Sequence, residues 1–214
     1  MPIAQNNVRR DDAGISSRNT RPHATLSQQL VRGVAAGFVA TQTLDILSMF
    51  FYENLPPSER LEEDRTRSGH QAYEVMVMKI AERIGVPLSE SEIKYWGWKF
   101  HRAFGVAGGV QYMMLREKFP TVKKAYGFIF GVAFFAIADE VLIYLVNATP
   151  GPRNFGWKSH ARGAVAHIAF GVACELVALS FEKVAEYEAG IGWALAEDLG
   201  RPSRAVARAR FSRH

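Results

Sequence analysis

The sequence predicts an all-α polytopic membrane protein, a four-transmembrane-helix bundle with a short external amphipathic helix. Two observations predict it. The first is where the charges are absent. Of 214 residues, 26 are Lys or Arg and 21 are Asp or Glu, yet the stretches 33–52, 103–115, 125–147 and 163–181 hold only Asp45, Asp139, Glu140 and Glu175. The second is that these stretches have no polar face. Residues 128–137 (FIFGVAFFAI) and 33–41 are apolar on every side, whereas a helix of a soluble bundle keeps one charged face. A helix needs ~20 mostly apolar residues to cross a ~30 Å hydrocarbon core. The mean hydropathy near zero therefore averages apolar segments with charged connectors. A disulfide framework is excluded, because Cys174 is the only cysteine.

Residues 1–24 are polar, with mixed charge and no periodicity, and read as a disordered N-terminal segment. No apolar core precedes residue 30, so the first span, about 30–52, is expected to serve as an uncleaved anchor. Thr25 and Gln28 form a capping box ahead of it. In the connector 53–94, Tyr73, Val77, Ile80 and Ile84 recur at helical spacing. This predicts an amphipathic helix over about 70–84, on the membrane surface, packed on the bundle or solvated, and stopped by Gly85-Val86-Pro87. Ser89 and Glu92 form a second capping box, from which a helix can run into the second span, about 95–116. Trp96 and Trp98 suit an interfacial belt, and Lys99 can snorkel. A tight turn at Pro120 leads to the third span, about 125–148, which Thr149-Pro150-Gly151-Pro152 ends. The fourth, about 160–183, leads into a C-terminal segment, 184–214, that holds a helix over 186–199 and an Arg-rich tail.

Orientation follows the basic residues. The connector 116–124 carries four against one acid and the segment 1–32 five against two, whereas 53–100 carries seven against nine. Cytoplasmic loops hold the excess of Lys and Arg, so both termini are expected in the cytoplasm.

Each of the first three spans carries a GxxxG motif: Gly33 and Gly37, Gly105 and Gly109, Gly127 and Gly131. The fourth offers Gly163 and Gly171. Lipid tails are as apolar as leucine, so helices in a bilayer associate by close backbone approach, which glycine permits. The motifs predict a compact bundle, without distinguishing contacts inside the chain from contacts with a partner.

Depth organises the ionisable residues. At ~1.5 Å per residue, Asp45 lies about 18 Å from the inner end of its span, Asp139 and Glu140 about 21–23 Å. His101, Arg102 and His167 lie about 20 Å from theirs. With alternating directions, all six fall in one layer of the outer half, and Glu175 alone lies nearer the inner side. A charge in mid-bilayer costs roughly 2.5–3.5 kcal/mol on insertion scales, so such groups turn inward and pair. The expectation is a buried polar layer, Arg102 and two histidines against three carboxylates. It can be a hydrogen-bond network holding register, a proton- or ligand-linked site, or a metal site. Adjacent Asp139 and Glu140 point about 100° apart on a helix and do not suit one small ion. His160 and His167, two turns apart, are not a chelating pair.

From residue 98 to 183 the chain resembles the YagU-like family of bacterial inner-membrane proteins. The resemblance is carried by His101-Arg102-Ala103-Phe104-Gly105, Arg116-Glu117-Lys118-Phe119-Pro120, Gly127, Gly131, Asp139-Glu140, Thr149-Pro150, His160-Ala161-Arg162, His167, Gly171 and Glu175. It implies a multi-pass inner-membrane protein and supplies no activity. No HExxH, nucleophile elbow, phosphate loop or dinucleotide fingerprint occurs. The expectation is a non-enzymatic structural or accessory component of a membrane assembly, with no cofactor, no catalytic residue and no metal. Its partners would be the bilayer and a second copy or a larger complex, with no nucleic acid. The alternative is a small transporter or proton-linked membrane factor using the charged layer.

Overall fold

The computed structural model describes the backbone of residues 24–200 and side chains as far as residue 191. The expectations for the N-terminal segment and the Arg-rich tail lie outside the described residues. Within them the chain is all-helical. The helices are α1 (Leu26–Glu53), α2 (Pro57–Thr66), α3 (Ala72–Arg83), α4 (Glu90–Lys118), α5 (Pro120–Lys124), α6 (Phe128–Leu145) and α7 (Trp157–Gly200).

Both capping boxes form. Thr25 caps α1 with Gln28 reaching back, and Ser89 caps α4 with Glu92. Gly85 ends α3 in the left-handed region at φ 71°. Before α6 the chain turns through Tyr126 (φ 49°) and Gly127 (φ 78°). After α6 it turns at Asn147 (φ 52°), ahead of the proline pair. α6 is interrupted by a π turn over Ala138–Leu142, the segment that holds Asp139 and Glu140. α7 runs on past Lys183 to Gly200, as the sequence suggests.

The four long helices alternate in direction. α1 packs antiparallel on α4, since Gly33 meets Val110, Gly37 meets Val106 and Asp45 meets His101. It also packs antiparallel on α7, with Arg32 over the Phe181 ring at one end and Arg162 near Tyr52 at the other. α6 packs antiparallel on α7. The four-helix ring is closed between α4 and α6 by rings rather than backbones: Phe104 against Phe134, and Tyr112 against Phe130. The hairpin turned at Pro120 is therefore not the tightest pair, because α5 and the Tyr126–Gly127 turn separate its arms.

The glycines explain the close pairs. A Cβ on Gly33 or Gly37 would come within 2.6 Å of the Val110 or Val106 Cα. One on Gly109 would strike the Gly37 backbone, and one on Gly105 the hydroxyl of buried Thr41. Gly127 and Gly171 face each other across α6 and α7, and Gly131 lies on the backbone of His167 and Ile168. Gly163 faces the Phe135 ring. All eight glycines thus sit at contacts inside the chain.

Among the described residues three helices are long and apolar enough to cross a membrane: α1, α6 and α7. Large apolar side chains are exposed, among them Leu26, Val31 and Phe38 on α1 and Phe128, Ile137 and Leu145 on α6. α4 is as long, at 29 residues, but is not among the three. Its first half carries Glu90, Glu92, Lys94, Lys99 and Arg102, and the uncharged run that follows is only residues 103–115. The expected second span is the place where composition and architecture part. α4 stands in the four-helix ring without having the composition of a span.

The connector is folded onto one end of the bundle. α3 lies on α4, with Tyr73 and Glu74 over Gly97 and the Tyr73 ring 5.0 Å from that of His101. α2, which the sequence reading does not include, starts at Pro57 after Pro56. It is tied down by Lys158–Glu59 (2.7 Å), by Tyr52–Asp64 (2.6 Å) and by a contact of Arg162 with Glu63.

Candidate functional site

Two polar clusters lie in the bundle, one toward each end. At the end holding the α4–α5 turn, Arg116 of α4 makes a two-pronged contact with Glu175 of α7, Nε to Oε2 at 2.6 Å and Nη2 to Oε1 at 3.0 Å. Its remaining nitrogen, Nη1, donates to Glu182 at 2.9 Å, and Lys123 lies 3.3 Å from the same carboxylate. The fully buried Tyr112 donates its hydroxyl proton to Glu175. Arg116 is 6% exposed and Glu175 2%. Two cations match two carboxylates, and the arrangement is a closed clamp joining α4, α5 and α7. Such charge-assisted, bidentate bonds are the strong ones.

The opposite end holds a partly open cavity of about 870 Å³ between α1, α4, α6 and α7, with α2 and α3 forming part of its wall. Five of the six polar-layer residues line it: Asp45, His101, Asp139, Glu140 and His167. Arg102 does not. It stands behind Asp45, with Nη2 3.6 Å from Oδ2 and 2.9 Å from Gln42, and its guanidinium lies 4.2 Å from the centre of the Trp98 ring.

The layer resolves into three imidazole–carboxylate pairs rather than one network. His101 Nε2 and Asp45 Oδ1 are 2.8 Å apart, joining α4 to α1. His160 Nδ1 and Glu140 Oε1 are 2.6 Å apart, joining α7 to α6, and His160 Nε2 lies 3.0 Å from the Pro152 carbonyl. His167 Nδ1 lies 2.9 Å from the Gly163 carbonyl and 3.6 Å from Asp139 Oδ2. The π turn sets this division. A π turn is wider than an α turn and is a common feature of functional sites. Here it presents Asp139 to one turn of α7 and Glu140 to another, two turns away. Among the described residues no group of three His, Cys, Asp or Glu is placed to hold a metal ion.

Some partners of the layer lie outside the six residues that depth brings together. His160 enters as the partner of Glu140. Its signal is present in the sequence, since it lies on the same helix face as His167. Glu63, Arg67 and Arg162 also line the cavity, with Glu63 bonded to Arg67 at 2.7 Å and in contact with Arg162. The expected layer sets three carboxylates against one fixed cation, and these guanidinium groups change that balance. Glu175, set apart by depth, has its partners in Arg116 and Tyr112.

Fold and site define a class: an all-helical bundle with three helices long and apolar enough to span a membrane, clamped by an ion pair at one end and hollowed into a histidine–carboxylate cavity at the other. The chain belongs to DUF1440, a family of proteins of unknown function, whose model matches residues 49–176. The match takes in the connector, which the resemblance seen in the sequence did not reach, and every residue that carried that resemblance. The clamp's Arg116 and Glu175 and all three cavity histidines fall within it, and Asp45 falls just outside. No curated protein and no solved structure matches the chain.

Proposed function

We propose that this chain is a proton-linked membrane factor, a four-span inner-membrane protein that takes up and releases protons in a cavity opening on the outer side. It belongs, in this reading, with the YagU-like proteins and is not an enzyme. One observation carries the proposal: three imidazole–carboxylate pairs, each joining two helices, line a single open cavity. Histidine is the side chain whose unperturbed charge change falls between about pH 5 and 8. Ionisable groups held at membrane depth mark proton and substrate pathways. A purely structural network gains nothing from standing around so large an opening, and the clamp at the other end shows how this fold builds a closed one.

The orientation supports the placement. Arg116, Lys118, Lys123 and Lys124 sit at the clamp end, which the positive-inside tendency assigns to the cytoplasm together with both termini. α4 is the fourth span in this arrangement. In its charged half, Arg102 is answered by Asp45 and Gln42, Lys94 by Glu90, and Lys99 by the Tyr95 and Trp96 rings.

The purified chain in sealed vesicles under a pH gradient should carry protons above the rate of empty vesicles, followed with an enclosed pH dye. Asp139→Asn with Glu140→Gln should return the rate to background. A wild-type rate equal to that of empty vesicles would sink the proposal. A partner recovered in stoichiometric amount after mild-detergent purification would instead favour the accessory-subunit reading.

A further inference from the structure

We infer that the cavity binds an organic cation, an amine or onium compound with aromatic or aliphatic bulk, and that protonation of its histidines expels it. The inference rests on the proton-linked reading and names what the proton exchanges with. Size comes first. About 870 Å³ falls within the range of roughly 300–1,000 Å³ that small-molecule sites occupy. It is far larger than a proton relay or a metal ion requires.

Charge comes next. The wall carries five carboxylates: Asp45 and Glu53 from α1, Glu63 from α2, and Asp139 and Glu140 from α6. Against them stand two guanidinium groups, Arg67 at the end of α2 and Arg162 of α7. Counting Arg102, which backs Asp45, the site holds two excess negative charges while its histidines are neutral. Protonating His101, His160 and His167 turns that into one excess positive charge. The sign of the cavity therefore depends on whether its histidines carry protons.

The remaining surface suits the bulk of such a ligand. Tyr73, Phe104, Phe134, Phe135 and Tyr144 line the cavity, and aromatic faces attract cations, most strongly where water is excluded. Asp45 Oδ2 is buried and makes no hydrogen bond, with the Arg102 guanidinium 3.6 Å behind it. Each histidine already faces a carboxylate from a neighbouring helix: His101 faces Asp45, with Tyr73 beside it, His160 faces Glu140, and His167 faces Asp139. A cation arriving among these carboxylates competes with the imidazolium protons, so its binding releases protons.

The test uses tetraphenylphosphonium, whose charge does not titrate, and its anionic isostere tetraphenylborate. Both are measured by equilibrium dialysis against the full chain in lipid nanodiscs, with empty nanodiscs subtracted. The phosphonium should bind saturably near about pH 8.5 and about tenfold more weakly near about pH 5.5, on either side of imidazole titration. The borate should show no such preference for high pH. Asp139→Asn with Glu140→Gln should weaken phosphonium binding at high pH. Replacing His101, His160 and His167 together by Gln should keep binding and remove its pH dependence. This second variant carries the test if the first fails to fold. Phosphonium binding equal to that of the borate, or unchanged in a folded carboxylate variant, overturns the inference. So does an absence of binding. If proton flux in vesicles persists in that case, the cation inference alone falls. If flux is absent as well, the proton-linked reading falls with it.

Discussion

The two ends of this bundle use similar residues for opposite ends. In the clamp, Arg116, Lys123, Glu175 and Glu182 are matched in number, and Arg116 and Glu175 are almost wholly buried. In the cavity, carboxylates outnumber fixed cations, the side chains of Asp45 and His101 are each 22% exposed, and the bases facing Asp139 and Glu140 are histidines. The clamp is built on a guanidinium, which does not lose its proton. The cavity holds pairs whose charge is conditional. One region fixes the helices, and the other is, in the function proposed above, the responding part.

The largest effect should come from unbalancing the clamp. Arg116→Met leaves Glu175, 2% exposed, with Tyr112 as its remaining partner. Removing one partner of a buried pair costs roughly 3–5 kcal/mol, because the other charge stays behind uncompensated. The thermal midpoint in detergent should fall sharply. Arg116→Met combined with Glu175→Leu should recover most of the loss, since a buried pair and a well-packed apolar pair differ little in net stability. If the single change is silent, the two regions do not differ in the way argued here.

A smaller effect is expected at the other end. Asp45→Asn keeps the size of the side chain and can still accept from His101, while it removes the charge facing Arg102. Partly exposed pairs contribute about 0–1 kcal/mol, so the midpoint should move little. The proton response in vesicles should nevertheless change. A large loss of stability with an unaltered proton response would make the cavity a second clamp and erase the contrast.

Much of this contrast was open to sequence reasoning, and the part that was not has a physical cause. Counting residues along a helix gives height, and by height Asp45, His101, Arg102, Asp139, Glu140 and His167 share one layer, of which all but Arg102 line the cavity. It gives no azimuth. Whether Arg102 enters the cavity or lies on Trp98, and whether Glu140 meets His167 or His160, depends on rotation about the helix axis. The π turn at Ala138–Leu142 alters that rotation where it matters most. Glu63 and Arg162 are 99 residues apart, and nothing local to either announces the other. Arg116 ends an apolar run and counts in the sequence as a connector charge, yet α4 continues through it to Lys118. The glycine motifs predict a compact bundle, while which helices pair, and whether inside the chain or with a partner, needed the opposing backbones. α2 left no periodic signal, because its residues are nearly all polar and it is held by ion pairs.

The least perturbing change lies outside both polar clusters, at the start of α4, the helix that reaches from one to the other. Ser89 donates to Glu92 from its backbone N–H (2.8 Å) and its hydroxyl (2.6 Å). These bonds favour the carboxylate form and hold the Glu92 carboxyl below its ordinary value, the side-chain bond contributing most. A group with a depressed pKa in the folded state contributes stability above its unfolded pKa, and that contribution is lost as the pH falls through the folded value. Glu92→Ala should therefore lower the thermal midpoint slightly at neutral pH. The difference from wild type should vanish in acid, where wild-type Glu92 is protonated as well. Proton flux should be untouched, since the change alters how α4 begins and not what it carries into the cavity. A flux change as large as that from Asp139→Asn with Glu140→Gln would mean that the seating of α4 sets the cavity's chemistry, and the separation between holding and responding parts would have to be redrawn along this helix.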